Sequence, residues 1–242
     1  MIPEQPCATP NGALNHAGFV AGDIVLVAAG RYTNTQEENA VVWLAQDAYL
    51  SGGWDATFTE QNGTSFLDIQ NGWSSVHVLS GVVASMDRFS MRSGSGLQQN
   101  IHTADPRTLP LIPPDDRSFG PHQDAGSLVS NNGTFTLTNS HIAGLFGGFG
   151  LWNEGTFFLG DSTVEGIYPA GVLNLEAGEL TLYRSQVQNN FGICAGINNE
   201  GKLVLIASTV SHNSTRYGGY GGGIRNRGSA FLVNSTISDN ST

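Results

Sequence analysis

Apolar and polar residues alternate in short bursts along the second half of the chain, and the bursts recur in one frame. Gly133, Gly155, Gly178, Gly201 and Gly228 each open a burst, and a serine follows seven residues later at Ser140, Ser162, Ser185, Ser208 and Ser235. Leu137, Leu159, Leu182, Leu205 and Leu232 hold the fourth position after the glycine. Phe135, Phe157, Leu180, Leu203 and Ala230 hold the second, and Ile or Val follows each serine by two. Apolar positions two apart predict strands, because successive strand side chains point to opposite faces. The repeats are 22, 23, 23 and 27 residues long, room for three short strands and three bends.

One such coil cannot bury its apolar side alone, but stacked coils can. The pattern therefore predicts an all-β fold, a single-stranded parallel β-helix whose coils pair about 4.8 Å apart. A leucine-rich repeat has a similar period, but the helical half with its leucine spacing is missing. Charges offer a test of register, since stacking sets Asp161 beside Arg184, Glu179 beside Lys202, and Glu200 beside Arg227, each an opposite pair. Asn131, Asn153, Asn199 and Asn226 lie two residues before a repeat glycine and predict a column of asparagines at one corner.

The first half reads as the same architecture in looser form. Strands are expected at 22–32, 40–44, 48–54, 65–69, 76–79 and 84–91, which brings the total to about eight or nine coils and a rod roughly 40 Å long. Residues 97–124 break the pattern with Pro106, Pro110, Pro113, Pro114 and Pro121 and predict a long surface loop. The whole chain, 1–242, is thus expected to be one domain: irregular coils over 1–96, the loop over 97–124 and regular coils over 125–242. It ends in mid-pattern, so the expectation is a piece of a longer protein.

Composition narrows the class. Only 12% of residues are charged, while Ser, Thr and Asn number 60, which disfavours a mostly helical chain. The formal charge is −10, with Lys202 the one lysine, so the basic footprint of a nucleic-acid binder is missing. No apolar run is long enough for a membrane-spanning helix, and the N-terminus does not read as a signal peptide. Cys7 and Cys194 make neither a disulfide framework nor a zinc site, and Cys194 reads as a buried small hydrophobe.

Gly221-Gly222-Gly223-Ile224-Arg225-Asn226-Arg227-Gly228, followed by Asn234-Ser235-Thr236-Ile237-Ser238-Asp239-Asn240, resembles the repeats of right-handed parallel β-helix surface proteins. The nearest are bacterial choice-of-anchor proteins and chlamydial polymorphic outer-membrane protein repeats, which share the pectate-lyase-like fold. Gly22-Asp23-Ile24-Val25-Leu26-Val27-Ala28-Ala29-Gly30-Arg31-Tyr32 and Leu50-Ser51-Gly52-Gly53-Trp54-Asp55 look like their first coils. The resemblance implies right-handed winding, an extracellular or cell-surface location, and a structural or adhesive role with polysaccharide or host-surface glycan as partner. The matching residues build coils and specify no chemistry.

The same fold hosts polysaccharide lyases and glycoside hydrolases, which leaves an enzyme acting beside the 97–124 loop as the alternative. A lyase would need outward carboxylates for Ca²⁺ and a base; Ca²⁺ enters only under that alternative, and no cofactor is otherwise implied. An inverting hydrolase would need a carboxylate pair about 6.5–9.5 Å apart. No aligned outward column of the regular half sets two acids on adjacent coils, and no catalytic residue is assigned. The best polar cluster is Asp115, Asp116, Arg117, His122 and Asp124 in the loop, with Asp87 and Arg88 one coil earlier as neighbours. Tyr217 and Tyr220, in the longest inter-coil insertion, are candidates for stacking on sugars, as are Trp54, Trp73, Trp152 and Tyr168. The sequons at Asn62, Asn132, Asn213, Asn234 and Asn240 follow from the coil pattern itself, and no metal site is expected.

Overall fold

A computed structural model describes residues 6–34, 39–70, 74–93, 126–194, 196–215 and 221–242. The chain winds as a right-handed parallel β-helix. This is the hand that right-twisted strands favour when they pair in parallel through crossovers. Its first face stacks eight parallel strands: Ile24–Ala28, Ala48–Trp54, Val83–Asp87, Thr134–Thr138, Thr156–Gly160, Glu179–Tyr183, Lys202–Ile206 and Ser229–Val233. Eight rungs agree with the coil number read from the repeat. Gly30–Thr33, Ser65–Ile69 and Phe89–Ser93 begin the second face, and Ala40–Leu44, Ser74–Val78 and Ser127–Asn131 begin the third. His141–Asn153 and Thr163–Asn174 then run around the corner between these two faces without a break. The expected 97–124 loop lies outside the described residues; the chain leaves the second face at Ser93 and rejoins the third at Ser127.

The leucine file stands as expected. Leu137, Leu159, Leu182, Leu205 and Leu232 are direct register partners, and the first four are fully buried. Leu50 and Met86 extend the same file into the irregular coils. Leu232 is 42% exposed, because its strand has a paired neighbour on one side only. The second face adds Ile142, Val164, Val187 and Val210, and the third adds Leu151, Val172 and Ile197, all fully buried.

Three ladders of side chains hold the corners, where backbone groups would otherwise be orphaned. At the first corner Asn139, Asp161, Arg184, Ala207 and Asn234 adopt left-handed backbone, each just before a repeat serine. Each serine Oγ donates to the carbonyl two residues earlier and accepts the backbone N–H of the coil before. Ser185, for example, donates to Tyr183 at 3.0 Å and accepts from Ser162 at 3.1 Å. At the third corner the asparagine amides form a chain: Asn131 donates to Asn153 at 2.8 Å, Asn153 to Asn174 at 2.7 Å, Asn174 to Asn199 at 2.7 Å and Asn199 to Asn226 at 2.6 Å. Asn174 fills a rung that the spacing rule passed over, because the turn to Gly178 is two residues longer. The second corner carries another asparagine column: Asn190 donates to Asn213 at 2.9 Å, and Asn213 to Asn240 at 3.0 Å. Asn213 is fully buried there, so its sequon serves the coil.

The repeat glycine answers to the same stacking. A Cβ on Gly155 would run into the Gly133 carbonyl oxygen, and one on Gly201 into that of Gly178. At the N-terminal end the helix Pro10–Leu14 packs on the strand Ala40–Leu44. Asn11 accepts from the Trp43 N–H at 2.8 Å and donates to the Ala40 carbonyl at 3.1 Å.

Asn174→Ala leaves the buried Asn199 acceptor without its donor and takes one of the acceptors of the Asn153 amide, which keeps the Gly155 and Glu179 carbonyls. It is expected to cost about 2–4 kcal/mol, against about 1 kcal/mol for the less buried Asn226→Ala. Leu182→Ala is expected to cost about 2–5 kcal/mol. Midpoints of chemical unfolding check all three, and an unchanged midpoint for Asn174→Ala would refute the ladder.

Candidate binding faces

Asp87 and Arg88 lie at the first corner of the third rung. The Asp87 carboxylate accepts from Thr138 Oγ1 at 2.8 Å and Asn139 Nδ2 at 2.6 Å, and its other oxygen lies 3.6 Å from Arg88 Nε. It fastens one coil to the next. Asp115, Asp116, Arg117, His122, Asp124, Tyr217 and Tyr220 lie outside the described residues, as does Trp73. Of the other expected stacking aromatics, Trp54 donates from Nε1 to Ser51 Oγ at 3.0 Å and Tyr168 is buried.

Trp152, among the described members of that set, joins an outward row. Register on the third face aligns Trp43, His77, Ser130, Trp152, Leu173, Asn198 and Arg225. Trp43 and His77 stack with ring centroids 4.5 Å apart and planes at 14°, and Trp43 is 38% exposed. Burial pulls the His77 pKa below its usual value, so the stacked ring is favoured in its neutral form. Three rungs along, roughly 14 Å at the strand spacing, Trp152 donates from Nε1 to Glu154 at 3.0 Å and packs edge-on against Phe149. Phe149, Ala170 and Leu173 form a small apolar cluster separate from the axial core. The row sets the Trp43–His77 pair and Trp152 on either side of Ser130, with Asn198 and Arg225 beyond, a mix of aromatic and polar groups suited to sugars.

The outer side of the second face carries charge. Arg31, Phe66 and Ser90 form one row of its first three rungs, and Thr33, Asp68 and Arg92 the other. Asp68 is 1% exposed and takes Arg31 Nη2 at 2.5 Å and Arg92 Nε at 3.6 Å on the same oxygen, Oδ2. Its Oδ1 is buried with no hydrogen-bond donor. The Arg92 guanidinium lies over the Phe66 ring, 5.4 Å from its centre. Further along this face, Glu165 accepts from Gln188 at 3.0 Å and pairs with His141 Nε2 at 2.9 Å. Desolvation opposes the charge on Glu165, but hydrogen bonds from Gln188 and His141 outweigh it and draw its pKa down.

The three charge pairs expected from register are present. Asp161 and Arg184 bond through two contacts, at 2.7 and 2.6 Å, while Glu179–Lys202 and Glu200–Arg227 lie at 3.6 Å. All are exposed enough to add little stability. Cys194 is buried, and burial raises its thiol pKa despite Arg225 Nη1 at 3.5 Å. Among the described residues no group of three His, Cys, Asp or Glu side chains is placed to hold a metal, and no helix is long and apolar enough to cross a membrane.

These features define a right-handed parallel β-helix with an aromatic row on one outer face and an arginine pair on another. Compared with family models, curated proteins and solved structures, the chain matched none.

Two predictions follow from burial. Arg31→Gln or Arg92→Gln alone is expected to cost under about 1 kcal/mol, because the other arginine still compensates Asp68. The double variant strands a buried carboxylate and is expected to cost about 3 kcal/mol or more; additive single effects in urea unfolding would contradict this. For His77 the folded pKa lies below the unfolded 6.5, so its contribution is full above that value and is lost as pH falls towards the folded pKa. His77→Phe should therefore flatten the fall of Tm below pH 6.5 relative to the parent chain, and parallel Tm profiles would show that His77 stays unperturbed.

Proposed function

We propose that this chain is a structural and adhesive segment of a secreted or cell-surface protein, and that it holds glycan along its outer faces. The observation that carries the reading is the Trp43–His77 stack with Trp152 in the same outward row. Apolar ring faces at intervals along a rigid rod suit an extended saccharide, whose C–H faces pack on aromatic rings while its hydroxyls reach the polar groups between them. A rod of parallel coils fixes those intervals without any induced fit, so little ordering cost falls on the protein when a chain of sugars is laid on it. The likeness of the repeats to choice-of-anchor and polymorphic outer-membrane protein repeats supports the surface location. A lyase or hydrolase would draw on paired carboxylates, and among the described strands no two acids are register partners on neighbouring rungs.

A glycan array probed with the intact chain tests the reading. Binding to extended polysaccharides is expected, with Trp43→Ala and Trp152→Ala each weakening it about ten-fold or more, in line with the loss of about 1–2 kcal/mol of ring stacking. The same polysaccharides incubated with the protein, with and without Ca²⁺, are expected to stay uncleaved. Release of unsaturated products would overturn the adhesive reading in favour of the lyase.

A further inference from the structure

We propose that Arg31 and Arg92, held together by Asp68 and backed by Phe66, bind the carboxylate of an acidic pyranose in a glycan chain. The inference rests on the glycan-binding reading and names the class of sugar.

Charge accounting singles out the place. Among the described residues, Arg88, Arg184, Lys202 and Arg227 each lie beside a carboxylate of their own, and Arg225 is engaged at the Cys194 sulfur, 3.5 Å away. Arg31 and Arg92 share one, Asp68, so the cluster carries an excess positive charge on a chain whose net charge is −10. Both guanidiniums reach a single oxygen from opposite neighbouring rungs, which holds two cations close together on a flat face. Asp68 is almost fully buried, while the arginine side chains are 53% and 47% exposed. The carboxylate therefore anchors from below and the cations face outward.

Donor geometry indicates what they take. A guanidinium has five N–H donors in one plane. Arg31 reaches Asp68 through Nη2 and Arg92 through Nε, which leaves both nitrogens of the Arg92 fork unspent. The Phe66 ring under the Arg92 guanidinium, 5.4 Å from ring centre to Cζ, backs it on one side. A planar fork matches the two oxygens of a carboxylate. Phe66, 36% exposed, offers an apolar edge beside the fork for the sugar ring that bears the acid. The Trp43–His77 stack lies on the third face of the first two rungs, at the same end of the rod. One saccharide chain bending around that corner, or two lying side by side, could use both.

The test titrates the intact chain calorimetrically with a cellouronate oligomer, the neutral cello-oligosaccharide of the same length and its sulfate ester. Cellouronate is expected to bind at least about ten-fold tighter than the neutral oligomer, the range of a charge-assisted bond pair. That advantage should shrink as salt rises. Arg92→Gln should abolish it while leaving the melting temperature and the neutral oligomer's affinity in place, and Arg92→Lys should recover only part, lacking the fork. Should Arg92→Gln fail to fold, Phe66→Leu reads the same loss without touching a charge. Equal binding of acidic and neutral oligomers, lost only in Trp43→Ala, would overturn this inference and leave the glycan reading standing. Binding of neither would overturn both, and tighter binding of the sulfate ester than of cellouronate would refute the carboxylate assignment.

Discussion

A coil of 22 to 27 residues has no means of hiding its own apolar side or of satisfying the amides at its bends. The coil above it, one strand spacing away, does both. In-register stacking is thus the constraint on which the molecule depends. It aligns Leu137, Leu159, Leu182 and Leu205 into one dry file. The same translation sets Asn131, Asn153, Asn174, Asn199 and Asn226 within hydrogen-bond reach of one another. A slip of one residue would turn the leucines outward and break every ladder at once.

Stacking also explains which residue types recur. Serine at the first corner is small, and its hydroxyl both donates and accepts, so one side chain serves a carbonyl of its own coil and an N–H of the neighbour. Asparagine at the other corners has an amide long enough to pass a hydrogen bond up the stack. Glycine opens the first-face strand because the preceding coil's carbonyl occupies the volume a Cβ would need. None of these positions is free to serve a ligand. Function is left to the outward side chains, whose main obligation to the fold is to avoid like charges on adjacent rungs.

Outward positions differ between the two halves. In the regular half the second face shows mostly Thr, Gln and Ser, while the first face mixes Thr with Phe158, Tyr183, Val204, Ile206 and Phe231. The first rungs carry Arg31, Phe66, Asp68 and Arg92 on one face and Trp43 and His77 on the next. The departure from repetition is greatest where the chemistry is richest, as expected when a scaffold of rigid coils presents a site. Asp68 illustrates the difference. A carboxylate that is nearly sealed from water, with one oxygen unpaired, makes a poor stability device, and its retention fits a role in holding two arginines.

The parallel stack of coils, the interior file, the corner serines and the three opposite-charge pairs were legible in the sequence, because an exact spacing repeated five times leaves one register; the hand of the winding came only from the resemblance. The Asn190–Asn213–Asn240 column was legible too, five residues after each of three serines, but a short column is easily passed over. Asp87 and Arg88 looked like chemistry by their charge; tertiary structure made Asp87 a fastening between coils. The partnerships of Trp43 with His77, and of Arg31 with Asp68 and Arg92, span 34 to 61 residues of irregular sequence. No period counts across insertions of unequal length, so only the folded coil could decide which of those residues meet.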